Sequence, residues 1–372
     1  MHATPMVILT TFVLGCACSP AFAADITFHR SNAHAHVGAE CRAVQQGVGL
    51  IETSNYGKIE VSGPGAEEWL SRVMANRVPA VGRITLTPML NERGKLIGDF
   101  TMCRPCADRV LLVGTYAAES HYLRWFERHL SPGVAVRPCT MEHVGFAMAG
   151  PASRALLQSL VREDLSDAAF PFLSFRRVDV GMIPALIGRI SFTGELGYEI
   201  WVGPDYQRAL YDLVVSAGSG QGLRLFGGRA LNAMRIEKSF GNWAREFRPI
   251  YGPFEAGLGR FVDFGKEAFI GRAAALEERE QGGERRLATF AVQASQADAM
   301  GDEPIWHDGK VIGWVTSGAY GHRVGRSLAL GYIEAGVRDE TGGFEIEILG
   351  ERCPAQRLSA APYDPSGARM RA

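Results

Sequence analysis

Two carboxylates and one guanidinium stand out as groups whose setting suits chemistry. The first is Glu199, in the stretch SFTGELGYEIW that spans residues 191–201. Gly194 and Gly197 bracket a tight bend and Tyr198 to Val202 is rich in β-formers, so a turn feeding a strand is expected. A period of two puts Tyr198 and Ile200 on one face and Glu199 and Trp201 on the other. A carboxylate beside an indole suits a planar heterocycle with paired N–H donors, because one carboxylate accepts two parallel hydrogen bonds while an aromatic covers the ring. The same pattern also fits an exposed edge strand whose Glu is solvated. The second group is Asp99, which interrupts the apolar run LIGDF at residues 96–100. The preceding Gly98 admits close approach to the backbone, and a buried acid there would have a raised pKa and could accept a proton or stabilise a cation. An Asp tied to backbone amides at a bulge is the alternative. The third is Arg235, near the end of an expected helix before the loop GNW at residues 241–243. It would hold an anionic substrate tail, or else pair with Glu237 or Glu255.

Other chemistry finds no support. No GxGxxG follows a strand, and there is no P-loop, GxSxG elbow or HExxH. Cys103-Arg104-Pro105-Cys106 is a CxxC without a second half, expected as unpaired surface thiols at a hairpin. His34 and His36 near Cys41 read as residues flanking a helix start, so no metal site is expected.

The elements that must position these residues are of mixed kind. KIEVSGPGAEEWL at residues 58–70 reads as strand, Gly-Pro-Gly corner and amphipathic helix with acids in its first turn. The same sequence of features recurs at residues 145–161, a weak internal repeat of two α+β units with antiparallel sheets. Between them a hairpin is expected over 83–90 and 95–103, turning at Asn91–Gly94, then a helix over 118–130 with Tyr122, Trp125, Phe126 and Leu130 in the core. Helices are expected over 208–217 and 228–240. After a charged boundary at 277–286, short strands at 287–292, 310–316, 328–333 and 344–349 predict a small all-β barrel or jelly roll.

The chain has 372 residues, 47% hydrophobic and 21% charged, with formal net charge −1. Length points to two or three packed units, and composition to a globular fold. No basic stripe argues for nucleic acid, and no apolar run reaches the length of a membrane span. Residues 1–24 look like an export signal, with an apolar run from Met6 to Cys18 and an A-x-A site, but lack Lys or Arg before that run. A cytoplasmic location is expected, with export the alternative.

Taken together, KIEVSGPGAEEWL, PMLNERGKLIGDF, SFTGELGYEIWV, ALNAMRIEKSFGNWAREF, PFEAGLGRFV and VTSGAYGHRVGRSLALGYI resemble, in order, the aminomethyltransferase family of the glycine-cleavage T-protein. The likeness is closer still to the folate-binding C-terminal half of dimethylglycine and sarcosine dehydrogenases, and it runs from about residue 28 to 371. It implies an α+β three-domain cloverleaf: a leader over 1–27, α+β units over 28–140 and 141–280, and a C-terminal β-barrel over 285–372. Tetrahydrofolate would bind at its centre, with Glu199 gripping the pterin and Trp201 bordering the ring or its tail. Tyr198, Glu195, Arg235, Arg229 and Tyr363 are the remaining folate-binding candidates. Asp99 would stabilise the iminium form of the one-carbon unit and help take up the proton as a folate nitrogen attacks. There are departures from the family pattern. The family's folate-contacting Arg aligns near Leu231 or Asn232, with Arg229 two positions earlier, and its Asp-Asp pair appears as Gly98-Asp99. The FAD domain of the dehydrogenases has no counterpart, so no FAD is expected on this chain and a separate flavin-dependent amine dehydrogenase is the expected partner. The implied activity is one-carbon transfer to tetrahydrofolate, yielding 5,10-methylenetetrahydrofolate. The alternative is a non-catalytic folate-binding protein, such as the relatives that assist iron–sulfur assembly. Their Cys-containing motif is missing from residues 266–272.

Overall fold

A computed structural model describes residues 27–372; the expected leader, with Cys16 and Cys18, lies outside the described residues. The chain opens with α1 (Ala33–Gln46), β1 (Gly49–Glu52), β2 (Tyr56–Ser62), α2 (Ala66–Val73), β3 (Ile84–Leu90), β4 (Leu96–Cys106), β5 (Arg109–Thr115), α3 (Glu119–Arg128) and β6 (Ala135–Pro138). It continues through β7 (Val144–Ala149), α4 (Ser153–Gln158), β8 (Phe175–Val180), β9 (Ile183–Gly188), β10 (Gly197–Val202), α5 (Gln207–Gly218), β11 (Arg224–Leu225), α6 (Gly228–Glu237) and α7 (Arg272–Gln281). It ends with β12 (Arg285–Val292), β13 (Pro304–His307), β14 (Lys310–Gly321), β15 (Arg326–Glu334), β16 (Phe344–Ile348), β17 (Glu351–Leu358) and α8 (Ala368–Arg371).

The strands form a five-stranded sheet, β3-β4-β5-β2-β6, a six-stranded sheet, β11-β1-β7-β10-β9-β8, and a closed barrel, β12-β15-β14-β13-β16-β17. This is the architecture the resemblance implied. The repeated strand–corner–helix feature has a shared cause. Gly63 and Gly150 both turn with positive φ, 110° and 127°, and a Cβ there would sit 2.1 Å from the Gly133 carbonyl or 2.3 Å from the Gly47 carbonyl. Only glycine turns so sharply against a neighbouring backbone. In α2 the first-turn acids Glu67 and Glu68 complement the helix dipole, while Trp69, Leu70 and Val73 enter the first core.

The units are not collinear with the chain. β1 pairs with β7 and β11, so residues before 140 complete the second sheet. The loops of residues 239–271 return to the first unit, where Ala75, Leu90 and Leu96 pack against Phe247, Tyr251 and Phe269. Helix α6 is buried on several sides. Ala230, Ala233 and Met234 meet α1 through Cys41 and Val44, and Ile236 meets the barrel through Leu328 and Leu330. The two sheets face each other across a seam of Ile84, Cys103, Leu111 and Val113 on one side and Phe175, Leu186 and Trp201 on the other.

Several local expectations are corrected by packing. Leu130 is 46% exposed beyond the end of α3, where Tyr122 and Phe126 carry the core contacts. Helix α6 stops at Glu237, with Ser239 in a left-handed conformation at φ 56°. Cys103 is not a surface thiol but lies fully buried in the seam; Cys106, at the hairpin, is partly exposed, and both are free.

Candidate functional site

Asp99 and Glu199 come from different sheets and face the same seam. On β4, Phe100 and Met102 point into the first core, whereas Cys103 packs in the seam, so Asp99, at the same parity as Cys103, faces the seam too. On β10, Tyr198 and Ile200 lie in the core of the second unit, and Trp201, at the parity of Glu199, lies in the seam. The carboxyls are enclosed but not sealed, both partly accessible. Burial pushes Asp99 up to about 7, opposed only by its own backbone N–H. Burial likewise pushes Glu199 up to about 7, with Lys58 pulling it down. Among the described residues neither carboxyl accepts a side-chain or amide hydrogen bond from another residue. Gly98 serves close packing: a Cβ there would fall 2.8 Å from the Phe100 ring and 2.9 Å from that of Tyr122.

Around these acids the sequence missed two polar neighbours. Lys58, on β2, is fully buried; its ammonium donates to the Thr53 and Ser54 carbonyls, and burial lowers its pKa to about 8. Tyr56, on the same face of β2, is pushed well above the usual phenol range by burial and then by Glu199. Nothing local to Tyr56 or Lys58 in the sequence announces the second sheet that covers them. Near Asp99, the Tyr122 hydroxyl is buried without a partner among the described residues, and so is the indole N–H of Trp243, whose ring lies 6.0 Å from that of Tyr122.

The remaining candidates sit elsewhere. Tyr198 faces away from Glu199, fully buried against Phe170, with its hydroxyl accepting from Arg154. Trp201 shares the face of Glu199 but is 1% exposed, packed 5.9 Å from the Phe175 ring. It is a wall of the seam and leaves no open ring face. Arg235 pairs with neither Glu237 nor Glu255: its guanidinium binds Glu246 at 3.1 Å, Ser317 at 2.6 Å and the Phe240 carbonyl at 2.9 Å. With its Nε–H on Asn232 at 3.0 Å as well, the guanidinium spends four of its five N–H donors on the protein. Arg229 is exposed on the first turn of α6.

Glu195 and Tyr363 are brought together. The Tyr363 hydroxyl donates to Glu195 at 2.6 Å, Arg369 binds the other carboxylate oxygen at 2.6 Å, and Arg323 binds Glu195 at 3.0 Å. Arg323, from the β14–β15 turn, also binds Glu237 and the Met234 and Thr193 carbonyls, and stacks 3.8 Å over the Tyr363 ring. Burial and then the Glu195 hydrogen bond push Tyr363 up to about 12. This closed charge network latches the barrel to α6 and to the turn before β10.

Two cavities, of about 580 and 550 Å³, open away from the seam, one between α7 and the barrel, the other beside Glu195 and Arg369. Most of the acids on their walls are already engaged, Glu255 by Lys95, Glu278 by backbone N–H groups and Glu195 by arginines. The seam holds the acids left without protein partners. No group of histidines, cysteines and acids among the described residues could hold a metal ion, and no described helix is long and apolar enough to cross a membrane.

The comparisons bear on the family and the fold. Residues 13–266 match the GCVT N-terminal domain and residues 285–364 the glycine cleavage T-protein C-terminal barrel domain. The dimethylglycine dehydrogenase of Mus musculus is 37% identical over 333 residues, covering 88% of this chain but 38% of that protein. The chain thus spans well under half the length of the dehydrogenases it matches. An aminomethyltransferase of Natranaerobius thermophilus is 30% identical, with 87% of this chain and 89% of that protein covered. The crystal structure of the glycine cleavage system aminomethyltransferase T from Bartonella henselae superposes with a TM-score of 0.80 at 23% identity over 88% of this chain and 90% of that one. The two family domains, the full-length likeness to an aminomethyltransferase and the shared fold place this chain in the aminomethyltransferase (glycine cleavage T-protein) family.

Proposed function

We propose that the chain transfers a one-carbon unit to tetrahydrofolate, yielding 5,10-methylenetetrahydrofolate, with the unit delivered by a separate flavoprotein that demethylates dimethylglycine or sarcosine. One observation carries this reading: two carboxyls from opposite sheets, Asp99 and Glu199, face one seam with no protein group to satisfy them. Glu199 would hold the folate ring, its two oxygens accepting the paired N–H donors of the pyrimidine edge. Tetrahydrofolate supplies, when bound, the nucleophilic nitrogens that accept the one-carbon unit. Asp99 would take up the proton released there and, once ionised, oppose the positive charge of the incoming carbon. Burial suits Asp99 to the task, since a carboxyl held near pH 7 can both accept and return a proton at neutral pH.

The test is Asp99→Asn, assayed for methylenetetrahydrofolate formation from tetrahydrofolate and formaldehyde, or with a flavin amine dehydrogenase as donor. Turnover is expected to fall by about 10²–10⁴-fold with folate binding kept. Glu199→Gln is expected to weaken folate binding by about 10–100-fold, the worth of a charge-assisted hydrogen bond. A native chain that binds folate but never turns over, whatever the donor, would establish the non-catalytic folate binder instead.

A further inference from the structure

Lys58 is a buried cation to which the proposed reaction gives no task. Its ammonium has three N–H donors, and the protein takes two, through the Thr53 carbonyl at 3.4 Å and the Ser54 carbonyl at 3.0 Å. Those carbonyls sit where the chain crosses from the second sheet into the first. There the Thr53 N–H donates to the Gly145 carbonyl at 2.9 Å, and the Ser54 hydroxyl accepts from the Gly145 N–H at 3.0 Å. Gly145 pairs with Trp201 on β10, and Ala147, the next residue on that face, pairs with Glu199. On β7 the residues facing Trp201 and Glu199 are thus Gly145 and Ala147, which present no side chain and a single methyl group. Gly188 pairs with Glu199 on the far side. Cation and acid each favour the charged form of the other, yet among the described residues no direct ion pair joins them.

We propose that Lys58 is a specificity-determining residue: its remaining N–H donates to a ring carbonyl adjoining the N–H edge gripped by Glu199, so the site selects a 2-amino-4-oxo pteridine over a 2,4-diamino one. The inference rests on the folate reading above. On a 2-amino-4-oxo ring the amino group, the ring N–H and the carbonyl follow one another as donor, donor, acceptor. The two oxygens of Glu199 and the spare N–H of Lys58 supply the complement. A 4-amino ring turns a donor toward the ammonium and also lacks the ring N–H beside Glu199, so it mismatches both residues, and sites built on buried polar groups discriminate strongly in that way. A Lys58 that only caps the crossing between β1 and β2 would lower affinity for both rings equally.

Folic acid and aminopterin, which differ in the group at C4 and, with it, in the hydrogen on the adjoining ring nitrogen, provide the matched probes. Equilibrium binding to the full chain at pH 7 is expected to favour folic acid by about 10-fold or more. In Lys58→Met, folic acid should lose about 10-fold while aminopterin does not, which narrows the ratio by that factor and leaves the part set by Glu199. Lys58→Gln keeps an N–H donor at nearly the same reach and should retain part of the preference. It also replaces the Met variant should circular dichroism show that one unfolded. Glu199→Gln should weaken both ligands. A ratio that Lys58→Met leaves unchanged, or a native chain that does not discriminate, overturns the role of Lys58 with the folate site intact. A native chain that binds neither probe overturns the folate reading itself.

Discussion

Asp99 and Glu199 hold their protons to about pH 7, well above the ordinary carboxylate range, because the seam takes water away from the charged form. The linkage sign follows from proton counts. Between about pH 4 and 7 the folded chain binds protons that the unfolded chain has released, so these acids add stability at low pH and lose it as pH rises through 7. Asp99→Asn is therefore expected to be more stable than the native chain at pH 8, by about 1–3 kcal/mol, and no more stable at pH 4; urea unfolding at the two pH values checks this. Transfer activity at saturating folate should rise with pH through an inflection near 7, as Asp99 ionises, and the inflection should shrink in Asp99→Asn, where only the Glu199 titration is left, which a pH–rate profile would reveal. Both acids were legible in the sequence because each interrupts an apolar strand, a local signal. The fates of Arg235 and Tyr363 were not, since their partners come from far along the chain: Arg235 finds Ser317 in the barrel, and Tyr363 finds Glu195. Tyr198 was legible by parity alone, which set it opposite Glu199.

At the scale of elements, the β14–β15 turn and α6 act as a joint. Arg323 is fully enclosed between Glu195 and Glu237, a paired arrangement in which loss of one partner strands the others. Arg323→Met should cost about 3–5 kcal/mol, read by chemical denaturation, and should move the Tyr363 titration further up, because burial and Glu195 remain while a cation that lowers it is gone. Gly150→Ala places a methyl group 2.3 Å from the Gly47 carbonyl at a φ of 127°, and should cost more than about 2 kcal/mol in the same assay. The hairpin at β3–β4 and helices α2, α3 and α5 could be read from the sequence because caps, turns and periodicity are local. Strands β1, β13 and β17 escaped because they are short, or exist only by virtue of partners distant in sequence.

At the scale of the whole molecule, the two sheets meet at the seam that Asp99 and Glu199 face, so the proposed folate site and this inter-sheet contact would be one object. Trp201 is its largest buried side chain, and Trp201→Ala should cost about 3–5 kcal/mol and abolish folate binding together with it, measured as a loss of cooperativity in thermal unfolding. The three-unit architecture was visible in the order of strand and helix patterns, but the ownership of segments was not. Pairing of β1 with β7 means that the polypeptide starts in one unit, builds the other and then returns. Interleaving of this kind has a consequence for dissection. A fragment begun at Met141 would carry a second sheet lacking the strand between β7 and β11, with a raw edge ready to pair with any other chain. The two halves are thus bound to be made, folded and inherited together.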